Sequence, residues 1–465
     1  MNWQNEVLKR KEEVINDTQS FLRIKSVLDE STITKEAPFG EGINEALQYL
    51  LQKAEQDGFR TKNLDGYAAH IEMGEGDEIV GILCHIDVVP EGDGWTKPPF
   101  GAEIEDGKIY ARGAIDDKGP TMAIYHAMKL VKDLGLPLTK KVRMIIGTDE
   151  ESDWRCVDHY FKHEEMPTLG FAPDADFPII NAEKGIIDAK IKLDLPSLSD
   201  KECQLLSFES GRRFNMVPDY AKATVQLVEQ TNKLKEAFDD FLQSEAVQGK
   251  MDMANSSITF TIEGVSAHAM EPNNGKNAGV LLATFLSSPP VMLDARGSTY
   301  VKWISEMFYG DTRGNRLGIA CSDEISGELT VNAAMFRYEA DGESEVGFNI
   351  RYPVTAVGEE IEQKLRSLGD GEIIHFTNSN PHYVEENHPL IETLSRVYEE
   401  QTGERTKLIS IGGGTYARAL KAGVAFGPLF PGREDVVHQK DEYMMIEDLL
   451  KATSIYTQAI YELAK

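Results

Sequence analysis

The chain has 465 residues, room for about three domains at ~150 residues each, which excludes a peptide or a disulfide-stapled mini-protein. Hydrophobic residues make up 41% and charged residues 27%, an ordinary globular composition with apolar material for more than one core. Lys and Arg total 48 against 77 Asp and Glu, a net charge of −29 that repels phosphate backbones and anionic lipid alike, so neither nucleic acid nor a membrane is expected as a partner.

The opening MNWQNEVLKRKEEV carries charges every few residues and no apolar leader, and no later stretch approaches the ~18 apolar residues of a spanning helix. A soluble, cytoplasmic protein is expected. Cys84, Cys156, Cys203 and Cys321 are far apart and form no Cys-x-x-Cys pair, so they read as reduced thiols.

In chain order, residues 1–29 have the pattern of an amphipathic helix, with Val7, Val14, Phe21 and Leu22 among charges, and 42–57 suggest a second. EIVGILCHIDVV, residues 78–89, is a continuous apolar run of the kind a central buried strand shows. Residues 120–134 read as a helix with Pro120 in its first turn and Gly135 at its end. Residues 142–146 and 169–173 are further strands, so the first ~180 residues alternate as parallel βαβ units do.

From about residue 184 the pattern becomes alternating, with Ile258, Phe260 and Ile262 on one face and Thr259, Thr261 and Glu263 on the other. Val346, Phe348 and Ile350 repeat it, followed by a helical EEIEQKLRSL and a short strand EIIHF. Two β-rich halves, with helices near 227–246 and 358–368, hint at a weak internal duplication. A helix over 388–402, a glycine-rich turn and a helix over 446–463 close the chain. The expected fold is α/β. Residues 1–183 and 384–465 form a catalytic domain with a mixed, mostly parallel sheet flanked by helices, interrupted by an α+β domain at 184–383.

Chemistry-bearing residues gather at strand ends, where open α/β sheets place their ligands. His85 and Asp87 end the buried strand; alternation puts them on one side, so the carboxylate can orient an imidazole ligand. Asp116 and Asp117 sit in a glycine-flanked turn before a helix, where acids commonly serve as caps. Glu150 and Glu151 follow the strand at 142–146, Asp174 follows the apolar run 169–173, and His438 follows a turn-rich segment. Each alone has a bland reading, as a cap, a solvated acidic loop or an exposed histidine. As a set they are the mixed nitrogen and oxygen ligands that two borderline divalent cations take, with one Glu free to face a water. No Gly-x-Ser-x-Gly elbow offers a competing nucleophile, and Cys84 lies inside the apolar strand.

These residues resemble the co-catalytic metallopeptidases that include aminoacylases, carnosinases, succinyl-diaminopimelate desuccinylase and glutamate carboxypeptidases. The resemblance spans essentially the whole chain and rests on His85-Ile86-Asp87-Val88-Val89-Pro90, Ala111-Arg112-Gly113 through Asp116-Asp117-Lys118-Gly119, and Asp149-Glu150-Glu151-Ser152. The PepV-type dipeptidases of Gram-positive bacteria look most similar, on the segments 147–154, 171–178 and 412–418.

The resemblance implies that Asp116 bridges two divalent ions, with His85 and Asp174 completing one site and Glu151 and His438 the other. Zinc is the first expectation, with manganese or cobalt as alternatives. It implies Glu150 as general base, Asp87 as the clamp on His85, and a cis Asp116–Asp117 peptide. It makes the middle segment a lid in which His268 polarises the scissile carbonyl and Asn215 lies near the substrate. Arg351 with Gly412, Gly413 and Gly414 would anchor the substrate's terminal carboxylate. The implied activity is hydrolysis of unblocked dipeptides, with broad side-chain tolerance, by a water shared between the ions and deprotonated by Glu150. An enlarged lid favours a monomer. The alternatives are an N-acyl amino acid amidohydrolase or desuccinylase on the same centre, and a non-catalytic metal-binding relative.

Overall fold

The apolar run at 78–89 forms the strand Ile79–His85, in which all seven residues are buried, as expected of a strand covered on both faces. The structure, a computed structural model, describes all residues except 199–202, 227–230 and 255. It divides into two compact units: Met1–Ala182 with Tyr383–Ile409 and Gly414–Lys465, and Glu183–His382 with Ser410–Gly413.

The first unit is built on a mixed sheet whose parallel part is its centre. Lys141–Gly147, Ile79–His85, Leu169–Ala172 and Gly423–Ala425 lie side by side and parallel. Ala68–Met73 and Arg60–Leu64 extend one side antiparallel, and Ile179–Glu183 meets Gly423–Ala425 antiparallel on the other. The helices Lys118–Asp133 and Ile446–Ala464 pack on each other and on the central strand. Val80, Ile82, Ile124, Met144 and Tyr456 are among the residues of their shared core.

The helix expected over residues 1–29 is two helices, Trp3–Leu8 and Lys11–Leu22, broken at Lys9 and Arg10. Helix Lys118–Asp133 begins two residues before Pro120, and Gly135 follows it with φ +63°. All four cysteines are free, with Cys84 and Cys156 buried. Among the described residues no helix is long and apolar enough to cross a membrane.

The second unit holds an antiparallel sheet in the order Gln248–Ala254, Ser257–Glu263, Tyr220–Gln226, Leu205–Ser210, Thr330–Glu339, Ser344–Tyr352, Gly185–Leu193 and Gly371–Ser379. Its helices include Thr231–Glu245 and Gly358–Arg366; residues 227–230 of the helix expected near 227–246 lie outside the described residues. Strand Ser257–Glu263 alternates as its sequence does, with Ile258, Phe260 and Ile262 fully buried. Strand Ser344–Tyr352 does not: Asn349 and Arg351 on its polar face are buried too. Arg351 Nε donates to Asn349 Oδ1 at 2.8 Å, and Asn349 donates to Asp188 Oδ1 at 2.6 Å on the neighbouring strand, so this face is satisfied internally rather than by water.

Candidate active site

Register places the acidic residues beside His85. Parallel pairing sets His85 opposite Gly147, and the Ile86 N–H donates to the Gly147 carbonyl at 3.1 Å. The chain then turns directly into Glu150 and Glu151. Ile82 pairs with Phe171 on the other side, so Asp174, two residues past strand Leu169–Ala172, comes to the same level. A third approach comes from the small sheet in which Lys108–Tyr110 pairs with Tyr443–Met445, which brings the turn bearing Asp116 next to the turn bearing His438.

The five ligand candidates converge. His85 Nε2 lies 3.0 Å from Asp116 Oδ1 and 3.7 Å from Asp174 Oδ1. His438 Nε2 lies 2.9 Å from the other Asp116 oxygen and 3.1 Å from Glu151 Oε1. One carboxylate thus faces an imidazole on each side. Donor atoms of His85, Asp116 and Glu151, and separately of His85, Glu150 and Asp174, lie within 4.8 Å of one another.

The electrostatics are those of a site crowded with acids. Burial, then the charge of Asp116, pushes Asp174 up to about 6. Burial also raises Glu150 well above the usual carboxylate range, with the charges of Asp174, Glu151 and Asp116 adding to it, and raises Glu151. Hydrogen bonds to Asp116 and Glu151 carry His438 up to about 10. Four carboxylates gathered around two imidazoles in this way fit divalent cations of borderline softness, which take nitrogen and oxygen donors together.

Two details refine the sequence reading. His85 Nδ1 meets the Asp87 main-chain carbonyl at 3.0 Å, while the nearer Asp87 carboxylate oxygen is 3.5 Å away. That carboxylate instead accepts the backbone N–H groups of Glu150 and Glu151 at 3.1 and 3.0 Å, so Asp87 fixes the acidic turn as well as the histidine. Asp117, which could have been a helix cap, makes no capping bond; its Oδ2 accepts from the His85 backbone N–H at 3.0 Å and from Thr121 Oγ1 at 3.2 Å. The peptide joining Asp116 to Asp117 is cis.

The model of "Peptidase family M20/M25/M40" matches residues 81–462. The chain belongs to this family. The peptidase is 58% identical over the full length of both chains to a Bacillus subtilis (strain 168) protein named "Putative dipeptidase YtjP". It is 42% identical, over 99% of each chain, to a Staphylococcus epidermidis protein named "Putative dipeptidase". Its fold is also that of the aminoacylhistidine dipeptidase from Vibrio alginolyticus, at TM-score 0.58, 16% identity and coverage of 97% and 96% of the two chains.

The second unit gathers the remaining residues singled out in the sequence, except Gly414. Exposed Asn215 accepts the Ala269 N–H at 2.9 Å through its carbonyl, and Met216 bridges to His268. His268 Nδ1 accepts the Met270 N–H at 3.1 Å. Partial burial, with the charge of Arg351, lowers the pKa of His268 and favours its neutral form. Arg351 Nη1 donates to the Gly412 carbonyl at 3.2 Å, and Gly413 ends the same segment. Gly414 belongs to the first unit, against Arg418.

Three residues of the peptidase were given no role from sequence. Tyr416 is fully buried, sets its ring edge-on to His85 at 5.9 Å, and meets Cys156 Sγ at 3.1 Å. Arg112 and Glu442 form an ion pair at 2.5 Å, 2% and 0% exposed. Arg112 and Tyr416 lie within segments that carry the resemblance, Ala111-Arg112-Gly113 and 412–418, without a role assigned to them there; Glu442 carries no local signal.

Proposed function

We propose that this peptidase is a dipeptidase that works with two divalent ions, its first unit acting as the catalytic domain and its second as a lid. The observation that carries the reading is Asp116, whose two oxygens lie 3.0 and 2.9 Å from imidazoles contributed by distant parts of the chain. His85 and Asp174 would hold one ion and Glu151 and His438 the other, with Asp116 between them. Bound there, such ions acidify water and polarise a carbonyl. Zinc suits this donor set first, with manganese or cobalt as alternatives.

Glu150 takes a proton from the attacking water and delivers it to the leaving amine; a carboxylate whose pKa is raised by burial is suited to both transfers. Asp87 holds Glu150 in place through its backbone N–H. His268 supports the oxygen that gains charge at the scissile carbonyl. Asn215 lies near the substrate, and Arg351 with Gly412 to Gly414 receives its carboxylate end. Recognition through that carboxylate leaves side chains loosely read, which favours short substrates of varied composition. The two "Putative dipeptidase" relatives support the same class. We further infer a cytoplasmic monomer.

Glu150→Gln tests the role of the base. Turnover of a dipeptide is expected to fall by about 10²–10⁴-fold while metal content stays at the parent level; near-normal turnover would remove Glu150 from that role. Assaying one dipeptide with and without an N-acetyl group separates the readings. Preference for the free amine supports a dipeptidase, and preference for the acetylated form supports an amidohydrolase.

A further inference from the structure

We propose that Arg112 and Glu442 are positioning residues, a buried strut that holds the Asp116 turn and the His438 turn at the spacing a pair of ions requires. The pairing of Lys108–Tyr110 with Tyr443–Met445 brings the two turns close but ends before either ligand. Asp116 lies six residues beyond the first strand, and His438 five residues before the second.

The strut spans that gap. Glu442 Oε1 accepts the Ile115 N–H at 3.0 Å and the Asp116 N–H at 3.4 Å, which fixes the backbone of the bridging carboxylate. Its other oxygen takes Arg112 Nη1 at 2.5 Å. The same guanidinium donates to the carbonyls of Gln439 and His438, both at 3.3 Å. His438 has φ +62°, a left-handed conformation that a side chain bearing a Cβ rarely adopts and that persists only where its surroundings hold it. Arg112 supplies that hold, because a planar fork can reach a carboxylate and two carbonyls at once. One buried pair therefore controls the backbone on both sides of the Asp116–His438 contact of 2.9 Å.

This inference rests on the di-metal reading, and the test keeps the two apart. Metal-free parent, Arg112→Met/Glu442→Gln and Arg112→Lys are titrated with zinc against a chromophoric chelator, with zinc per chain checked by mass spectrometry. The double variant leaves no buried charge unpaired, and circular dichroism reports whether it folds. The parent is expected to bind two zinc ions. Both variants are expected to bind one of them on the order of 10–100-fold more weakly, as losing a partner that orients a ligand typically does. Excess zinc is expected to restore kcat with KM unchanged, a rescue that a purely structural defect would not show.

Parent-like affinity for both ions in the folded double variant would overturn the strut. Should the double variant not fold, Arg112→Lys decides. It keeps the charge opposite Glu442 but cannot reach both carbonyls, and parent-like affinity there would overturn the strut equally. A parent that binds fewer than two ions would overturn the di-metal reading itself.

Discussion

Asp116, His85, Glu151, Asp174 and His438 were legible in the sequence only as a set: alone each reads equally as a cap, a solvated acidic loop or an exposed histidine, and together they are the mixed nitrogen and oxygen donors that a pair of cations takes. Glu442 and Tyr416 were not. Their significance comes from partners more than 250 positions away, Ile115, Arg112 and Cys156, and although Tyr416 lies in the 412–418 segment nothing local there points to them. Another histidine, His70, lies outside the site. His70 is 6% exposed, its Nδ1 meets Tyr160 Oη at 2.9 Å, and burial followed by the charge of Arg143 lowers its pKa from 6.5 to about 4. Between those values the unfolded chain binds the extra proton, so stability falls as pH drops through the window and the effect vanishes above it. Urea unfolding of the parent and His70→Gln from pH 7 to pH 4 is expected to show the parent losing up to about 3 kcal/mol more than the variant. Parallel pH profiles would contradict it.

Among the elements, those with one strong period were readable. Strand Ile79–His85 announced itself as an unbroken apolar run, and helix Ile446–Ala464 as an apolar period. The break at Lys9 and Arg10 was not readable, because the apolar period continues across it. The buried polar face of Ser344–Tyr352 was hidden as well, since alternation reports which residues are polar but not that Asp188 stands opposite them. The strand end at Gly147 is a tightly packed joint of the site. A Cβ there would lie 1.9 Å from Tyr416 Oη and 2.9 Å from its Cζ, so no side chain fits while the tyrosine keeps its place against His85. Gly147→Ala is expected to destabilise by about 1–3 kcal/mol, as overpacking in a filled core does, and to weaken metal binding through the displaced ring. Denaturant unfolding and zinc titration measure the two effects, and an unchanged midpoint would show that the joint yields more readily than its packing implies.

For the whole molecule, the substrate prediction follows from the proposed roles of the two units. The ligand candidates, Glu150 and Gly414 lie in the first unit, and Asn215, His268, Arg351, Gly412 and Gly413 in the second. If the second unit holds the substrate's carboxylate end while the first performs the chemistry, substrate length is set by that arrangement. Rates on a peptide series are then expected to drop steeply from dipeptide to pentapeptide while varying little with side chain, and efficient pentapeptide cleavage would contradict it. Turnover depends, in this proposal, on metal held by the converged histidines and carboxylates. The most direct test is to measure metal per chain and dipeptide hydrolysis on the same preparation before chelation, after chelation and after metal is restored. Two ions per chain, loss of both metal and activity on chelation, and their joint return are expected; full hydrolysis by a preparation stripped of metal would refute metal dependence.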